Sequence, residues 1–126
     1  MNSPAGAIAE TNLALLLRDA GELVEAERHA RTGAAAADIA FGTNPMRAIM
    51  HREYATVLTR LGRYADAEKE LDLAWSVFIA DPAYGPAHTR AQDVVEAYVG
   101  LYQAWGKPGK EAEWSGRRHS NAAPAN

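Results

Sequence analysis

The feature that most constrains this chain is that it repeats itself. Displacing the 126-residue sequence by 41 positions lays Pro4 on Pro45, Ala7 on Ala48, Ile8 on Ile49, Ala14 on Ala55 and Leu17 on Leu58. The same register lays Gly21 on Gly62, Ala26 on Ala67 and Glu27 on Glu68, with Leu23 opposite Tyr64 and Glu25 opposite Asp66. A third copy is looser. Phe41-Gly42 followed by Arg47-Ala48 returns 43 residues later as Tyr84-Gly85 and Arg90-Ala91, and Gly62 returns as Gly106 after 44, so the third unit carries about one extra residue in its first helix. A period of this length restricts the fold to a stack of similar supersecondary units, because each buries its apolar face only against its neighbours.

Inside each unit the apolar residues keep helical spacing. Ile49, Tyr54, Val57, Leu58 and Leu61 recur every three or four positions, as do Ala67, Leu71, Ala74, Trp75 and Phe78. Asn44-Pro45 offers a cap and a proline suited to a first helical turn. Gly62 supplies the left-handed residue that ends a helix, and a second helix is expected from Tyr64. No stretch alternates with the two-residue period of a strand, so the chain reads as all-α.

These residues resemble tetratricopeptide repeats of the longer variety found in kinesin light chains and in bacterial signalling proteins. The family's order of small residue, Gly, aromatic or Leu, then Ala falls on Ala14, Gly21, Leu23 and Ala26, and again on Ala55, Gly62, Tyr64 and Ala67. The standard repeat has 34 residues, and the excess of 7 residues here is about two helical turns, which keeps every face in phase. The resemblance implies a right-handed stack of about three antiparallel hairpins, an α-solenoid, over residues 1–116, with units at about 3–41, 44–83 and 86–116. Pro108 and Glu111 depart from the pattern, so the last hairpin is expected to be short, frayed or differently crossed. Residues 117–126 have no apolar periodicity and read as a flexible tail.

Composition narrows the function. Hydrophobic residues make up 48% and charged residues 23%, which suits a soluble globular domain. A net charge of -3 with interleaved signs leaves no basic field for nucleic acid or an anionic membrane. There is no cysteine, so disulfides, thiolate metal sites and thiol nucleophiles are excluded. Neither a basic leader at Met1–Ala9 nor a run of about twenty apolar residues is present, and a cytoplasmic protein is the expectation.

Chemical motifs are few. His51-Arg52-Glu53 has the His-x-Glu spacing of zinc deaminases without their paired cysteines. Gly100 to Gly106-Lys107 is one residue too long for a phosphate-binding loop and is followed by Pro108 rather than Ser or Thr. Glu25 and His29 share a helix face but have no second pair to complete a metal site. Asp66, Glu68, Glu70 and Asp72 read as an exposed run beside Arg63 and Lys69. Arg117-Arg118-His119 reads as part of the tail. No catalytic, cofactor or metal residue is assigned.

The expected function is therefore protein or peptide binding, without catalysis, on the concave groove that stacked hairpins present. The resemblance places groove residues at Thr11, Asn12, Leu15 and Asp19, then Arg52, Glu53, Thr56 and Arg60, then Glu96, Gly100 and Gln103. Asn12 matches an Asn that reads a bound peptide backbone in that family, whereas the second unit has Glu53 there. Val94–Trp114 also looks like the last repeat of bacterial proteins, some of them tails of serine/threonine kinases. The alternative functions are thus a regulatory or docking segment of a larger bacterial enzyme, or a self-assembling structural repeat. Finally, Ile8, Leu13, Leu15, Leu16 and Leu17 occupy several faces of the first helix. A helix apolar on several faces expects cover, which implies a homodimer through the first hairpin or continuation of an upstream repeat array.

Overall fold

The computed structural model describes residues 3–118. Among them the secondary structure is entirely helical: α1 (Pro4–Asp19), α2 (Leu23–Phe41), α3 (Met46–Arg60), α4 (Tyr64–Ala80), α5 (Thr89–Trp105) and α6 (Pro108–Ser115). None is long and apolar enough to cross a membrane.

The helices pair in sequence order, α1 with α2, α3 with α4 and α5 with α6, through three turns of one design. Gly21, Gly62 and Gly106 hold φ of 84°, 79° and 74°. The N–H of the residue after each glycine reaches back to a carbonyl five residues earlier: Glu22 to Leu17 at 2.8 Å, Arg63 to Leu58 at 2.9 Å and Lys107 to Tyr102 at 2.9 Å. These bonds satisfy carbonyls that a helix end would otherwise leave open. The turns therefore recur at the spacings of 41 and 44 residues seen in the sequence. Side chains also meet free N–H groups at the starts of α1 and α3. The Ser3 hydroxyl accepts from the Gly6 N–H at 3.0 Å ahead of Pro4, and the Asn44 side chain accepts from the Met46 N–H at 2.9 Å.

Between hairpins, α3 lies against both α1 and α5, α2 against α1 and α3, and α4 against α3 and α5. The odd-numbered helices thus stand side by side, with an even-numbered helix over each junction. The first hairpin is zipped by small residues. Ala7, Ala14, Ala26, Ala30, Ala34 and Ala37 are buried, and Gly33 sits so close to α1 that a Cβ there would fall 2.5 Å from the Thr11 hydroxyl oxygen. The main core runs on through Leu58, Val57, Leu71 and Phe78 to Tyr98 and Leu101.

Aromatics close the far end. α6 has only 8 residues against 19 in α2 and 17 in α4, the short final helix that Pro108 and Glu111 foretell. It is held by Trp114, which stacks on Tyr98 with ring centroids 3.7 Å apart and meets Trp75 edge-on at 5.1 Å. Order continues past the expected boundary at residue 116. Arg117 lies over the Trp114 ring and pairs with Glu113, and Arg118 makes a two-pronged bond to Glu96 at 2.6 and 2.8 Å. A guanidinium finds both an aromatic face and a carboxylate here, which the apolar period does not reveal. The remaining tail, with His119, lies outside the described residues.

Candidate functional site

A depression of about 620 Å³ lies across the odd-numbered helices, toward their C-terminal ends. Arg18 and Asp19 of α1 form one wall and Thr56, Thr59 and Arg60 of α3 the middle. Glu96, Ala97, Gly100, Leu101 and Ala104 of α5 form the other wall, and Tyr64 enters from the start of α4. Small residues on α5 make the slot: a Cβ added to Gly100 would meet nothing within 4 Å.

Most charges around it are already matched. Arg18 bonds Asp19 at 3.0 Å and donates to the Thr56 hydroxyl at 2.8 Å, which ties α1 to α3 across the floor. Glu96 is engaged by Arg118, whose guanidinium holds the Glu96 carboxyl below its ordinary range. Arg60 differs. It is exposed and has no ion pair or side-chain hydrogen bond among the described residues. Arg18 and Arg60 both stand in the last turn of their helices, where positive charge complements the helix dipole. Tyr64 is fixed by stacking on Trp105 with centroids 5.7 Å apart.

Of the residues assigned from sequence, the structure brings Asp19, Thr56, Arg60, Glu96 and Gly100 together at this depression. It does not bring the others. Thr11 is buried against Gly33 of α2, so it faces the hairpin interior. Asn12 is exposed and Leu15 half-buried away from the lining. Arg52 and Glu53 pair with each other at 3.2 Å, and Gln103 bonds Glu111 of α6 at 2.8 Å. The depression lies at the C-terminal end of α1 and α3, whereas Thr11, Asn12, Leu15, Arg52 and Glu53 lie nearer the N-termini of these helices. Arg18, Thr59, Tyr64, Ala97, Leu101 and Ala104 were missed. Ala97 and Leu101 carry a usable signal, being four apart as Glu96 and Gly100 are, so that the two pairs form adjacent rows along α5.

The acidic run of α4 is not the exposed face that its composition suggests. Glu68 accepts from the Tyr102 hydroxyl at 2.5 Å, Asp72 from the Tyr98 hydroxyl, and Glu70 bonds His51. Only Asp66 stays local, paired with Arg63 at 2.9 Å. The preceding junction works in the same way, with the Tyr54 hydroxyl donating to the buried Glu27 carboxylate at 3.0 Å. Burial and the adjacent carboxylate push the Tyr54 phenol up to about 12, and the same causes raise Tyr98 and Tyr102. These phenols are hydrogen-bond donors at neutral pH.

His51 is buried with a carboxylate at each ring nitrogen, Glu70 at Nδ1 and Asp38 at Nε2, the latter at 2.7 Å. Burial lowers its pKa, but the bonds to Glu70 and Asp38 outweigh it and hold the imidazole above its ordinary 6.5. Glu53 bonds Arg52 and does not join it, so the His-x-Glu pair does not converge. Gly106 is a helix cap. Glu25 bonds Arg28 while His29 bonds Glu10, so that pair does not converge either. Among the described residues no group of three or more His, Cys, Asp or Glu side chains could hold a metal ion.

Comparison with protein-family models, curated proteins and solved structures found no match to this chain.

Proposed function

We propose that this chain is a non-catalytic protein-interaction module, a right-handed stack of tetratricopeptide-type hairpins whose inner depression takes an extended segment of a protein partner. The recurring glycine turn and the side-by-side odd-numbered helices support the stack. The observation that carries the binding reading is the depression itself, which spans three hairpins and is open at Gly100. Arg60 at its middle is the charge without a partner among the described residues, so a carboxylate of the bound segment is the complement we assign to it. The flanking pairs Arg18–Asp19 and Glu96–Arg118 leave no further excess charge, which makes the remaining recognition apolar and steric.

The test is a displayed library of random peptides selected on the chain and re-assayed on two variants. Gly100→Leu puts a side chain into the slot from a position where a Cβ meets nothing within 4 Å, and Arg60→Glu reverses the charge. Enriched peptides should carry an acidic residue and lose at least about tenfold in affinity against each variant. Selection of peptides that bind both variants as well as the parent would refute the assignment.

A further inference from the structure

We infer that α1 is the docking face for a second copy of this chain, joined antiparallel across a two-fold axis. The evidence is a stripe that the chain uses twice and leaves open once. On α3 and the turn that follows, Met46, Met50, Tyr54, Val57 and Leu61 form one line of residues spaced four, four, three and four apart. Met50, Tyr54 and Val57 are buried, Met46 and Leu61 partly so, and the Tyr54 hydroxyl reaches Glu27 on α2. On α5 the corresponding Val94, Tyr98, Leu101 and Trp105 pack in the same manner, and Tyr98 bonds Asp72 of α4. Each stripe seals a hairpin against the one before it.

Displaced by 41 residues, the stripe on α1 is Ala5, Ala9, Leu13, Leu16 and Ala20. Every position is apolar and every one is exposed, with Leu16 at 69% and Leu13 at 40% where Val57 and Tyr54 have 0% and 9%. Position, rather than mere exposure, singles these residues out. Val24 and Ile39 are as exposed, but their equivalents Ala65 and Ala80 are exposed too, so those are ordinary surface sites.

The chemistry of the stripe selects its occupant. The even-numbered helices of this chain present carboxylates to the stripe that follows, Glu27 to Tyr54 and Asp72 to Tyr98. α1 has Leu13 where α3 has Tyr54, so a hairpin of the same kind docked there would bury an acidic group without its hydroxyl donor. The stripe of a second α1 carries no charged residue. Its stripe is also self-complementary in antiparallel order, since Ala9 then faces Leu16, Leu13 faces its own copy near the axis, and Ala5 faces Ala20. Large against small on either side of the axis, and small against small at the ends, permit close approach of two helices, and the same patch on both copies is the condition for a closed dimer. The opposite end of the stack, α6, exposes Lys110 and Glu113, which gives no apolar partner for head-to-tail growth.

Molar mass measured by light scattering over a concentration series tests this on the full chain. The parent should pass from monomer to dimer and stop there. Leu16→Glu, at a position already exposed, should weaken the dimer at least about tenfold with an unchanged helical spectrum. Ala9→Leu should also weaken it, by filling the space that Leu16 of the other copy enters, whereas Ile39→Glu should leave it intact. A parent that stays monomeric, or that grows beyond a dimer, overturns the proposal. So does equal loss of association in Leu16→Glu and Ile39→Glu. Tighter association in Ala9→Leu would overturn the antiparallel register. None of these outcomes depends on the depression across α1, α3 and α5.

Discussion

The close crossing of α1 and α2 makes Gly33→Ala a sign-changing substitution. Gly33 lies inside α2, where alanine is worth about 1 kcal/mol in helix propensity. The added Cβ would stand 2.5 Å from Thr11 Oγ1, 3.2 Å from the Thr11 nitrogen and 3.3 Å from the Ala7 carbonyl oxygen. The first distance cannot be accommodated without movement, and Thr11 is short and buried, so α1 must shift. Overpacking of this kind costs roughly 1–3 kcal/mol, leaving Gly33→Ala destabilising by about 1 kcal/mol. Thr11→Ala removes the nearest atom, a hydroxyl with no hydrogen-bond partner among the described residues. In that background Gly33→Ala should be neutral or stabilising by up to about 1 kcal/mol, the two backbone contacts absorbing part of the gain. Urea unfolding followed by circular dichroism on the four chains gives the coupling directly. Stabilisation by Gly33→Ala in both backgrounds, with no coupling, would refute the close-crossing argument.

Other expectations follow from the same contacts. Because the folded pKa of His51 lies above 6.5, its contribution is full below that value and is lost as pH rises through the folded pKa. The urea midpoint should therefore fall from about pH 6.5 upward, and His51→Gln should flatten that slope; an unchanged slope would remove His51 as its source. Tyr54→Phe should cost about 1 kcal/mol by removing the hydroxyl from the buried Glu27, which keeps only its longer ion pairs with Arg63 at 3.5 Å and Arg31 at 3.7 Å, whereas Tyr98→Phe should cost less because the exposed Asp72 recovers water; equal losses in thermal unfolding would contradict the distinction. Gly100→Leu should raise stability by up to about 1 kcal/mol, since it replaces a mid-helix glycine beside open space, even as it closes the depression.

The helices and their turns were legible in the sequence because they rest on local signals: helical spacing of apolar residues, Gly21, Gly62 and Gly106 at the turns, and Asn44 as a cap. The short α6 was legible in Pro108 and Glu111. What escaped were contacts between elements distant in sequence. Thr11 looks like any polar helix residue until Gly33, on another helix, closes over it. The acidic run Asp66 to Asp72 looks solvated until hydroxyls of α5 and an imidazole of α3 reach it. For the depression, the sequence placed Asp19, Thr56, Arg60, Glu96 and Gly100 but not Arg18 or Tyr64, because where along each helix the walls diverge depends on how the helices cross.

One pair shows why matching identical residues understates the repeat. Glu10 of α1 bonds Nδ1 of His29 in α2, and 41 residues on, His51 of α3 bonds Glu70 of α4, again through Nδ1. The two positions exchange residue types and keep the bond, so alignment by identity scores them as two mismatches while the hairpin geometry treats them as equivalent. The exchange has a consequence for packing. With the imidazole on the odd-numbered helix, its second nitrogen points back at α2 and takes Asp38 as a further partner, whereas the second nitrogen of His29, on the even-numbered helix, lies 3.3 Å from the guanidinium of neighbouring Arg28. Asp38 in turn bonds Arg47 at 3.1 Å, so the swap converts a bond within one hairpin into a junction that fastens α2, α3 and α4 together. The first junction thus has an ionic lock at one end and the Tyr54–Glu27 bond nearer the other. The placement of α3, and with it the width of the depression at Thr56 and Arg60, is thus held from outside the depression by these junctions as well as across its floor by the Arg18–Thr56 bond.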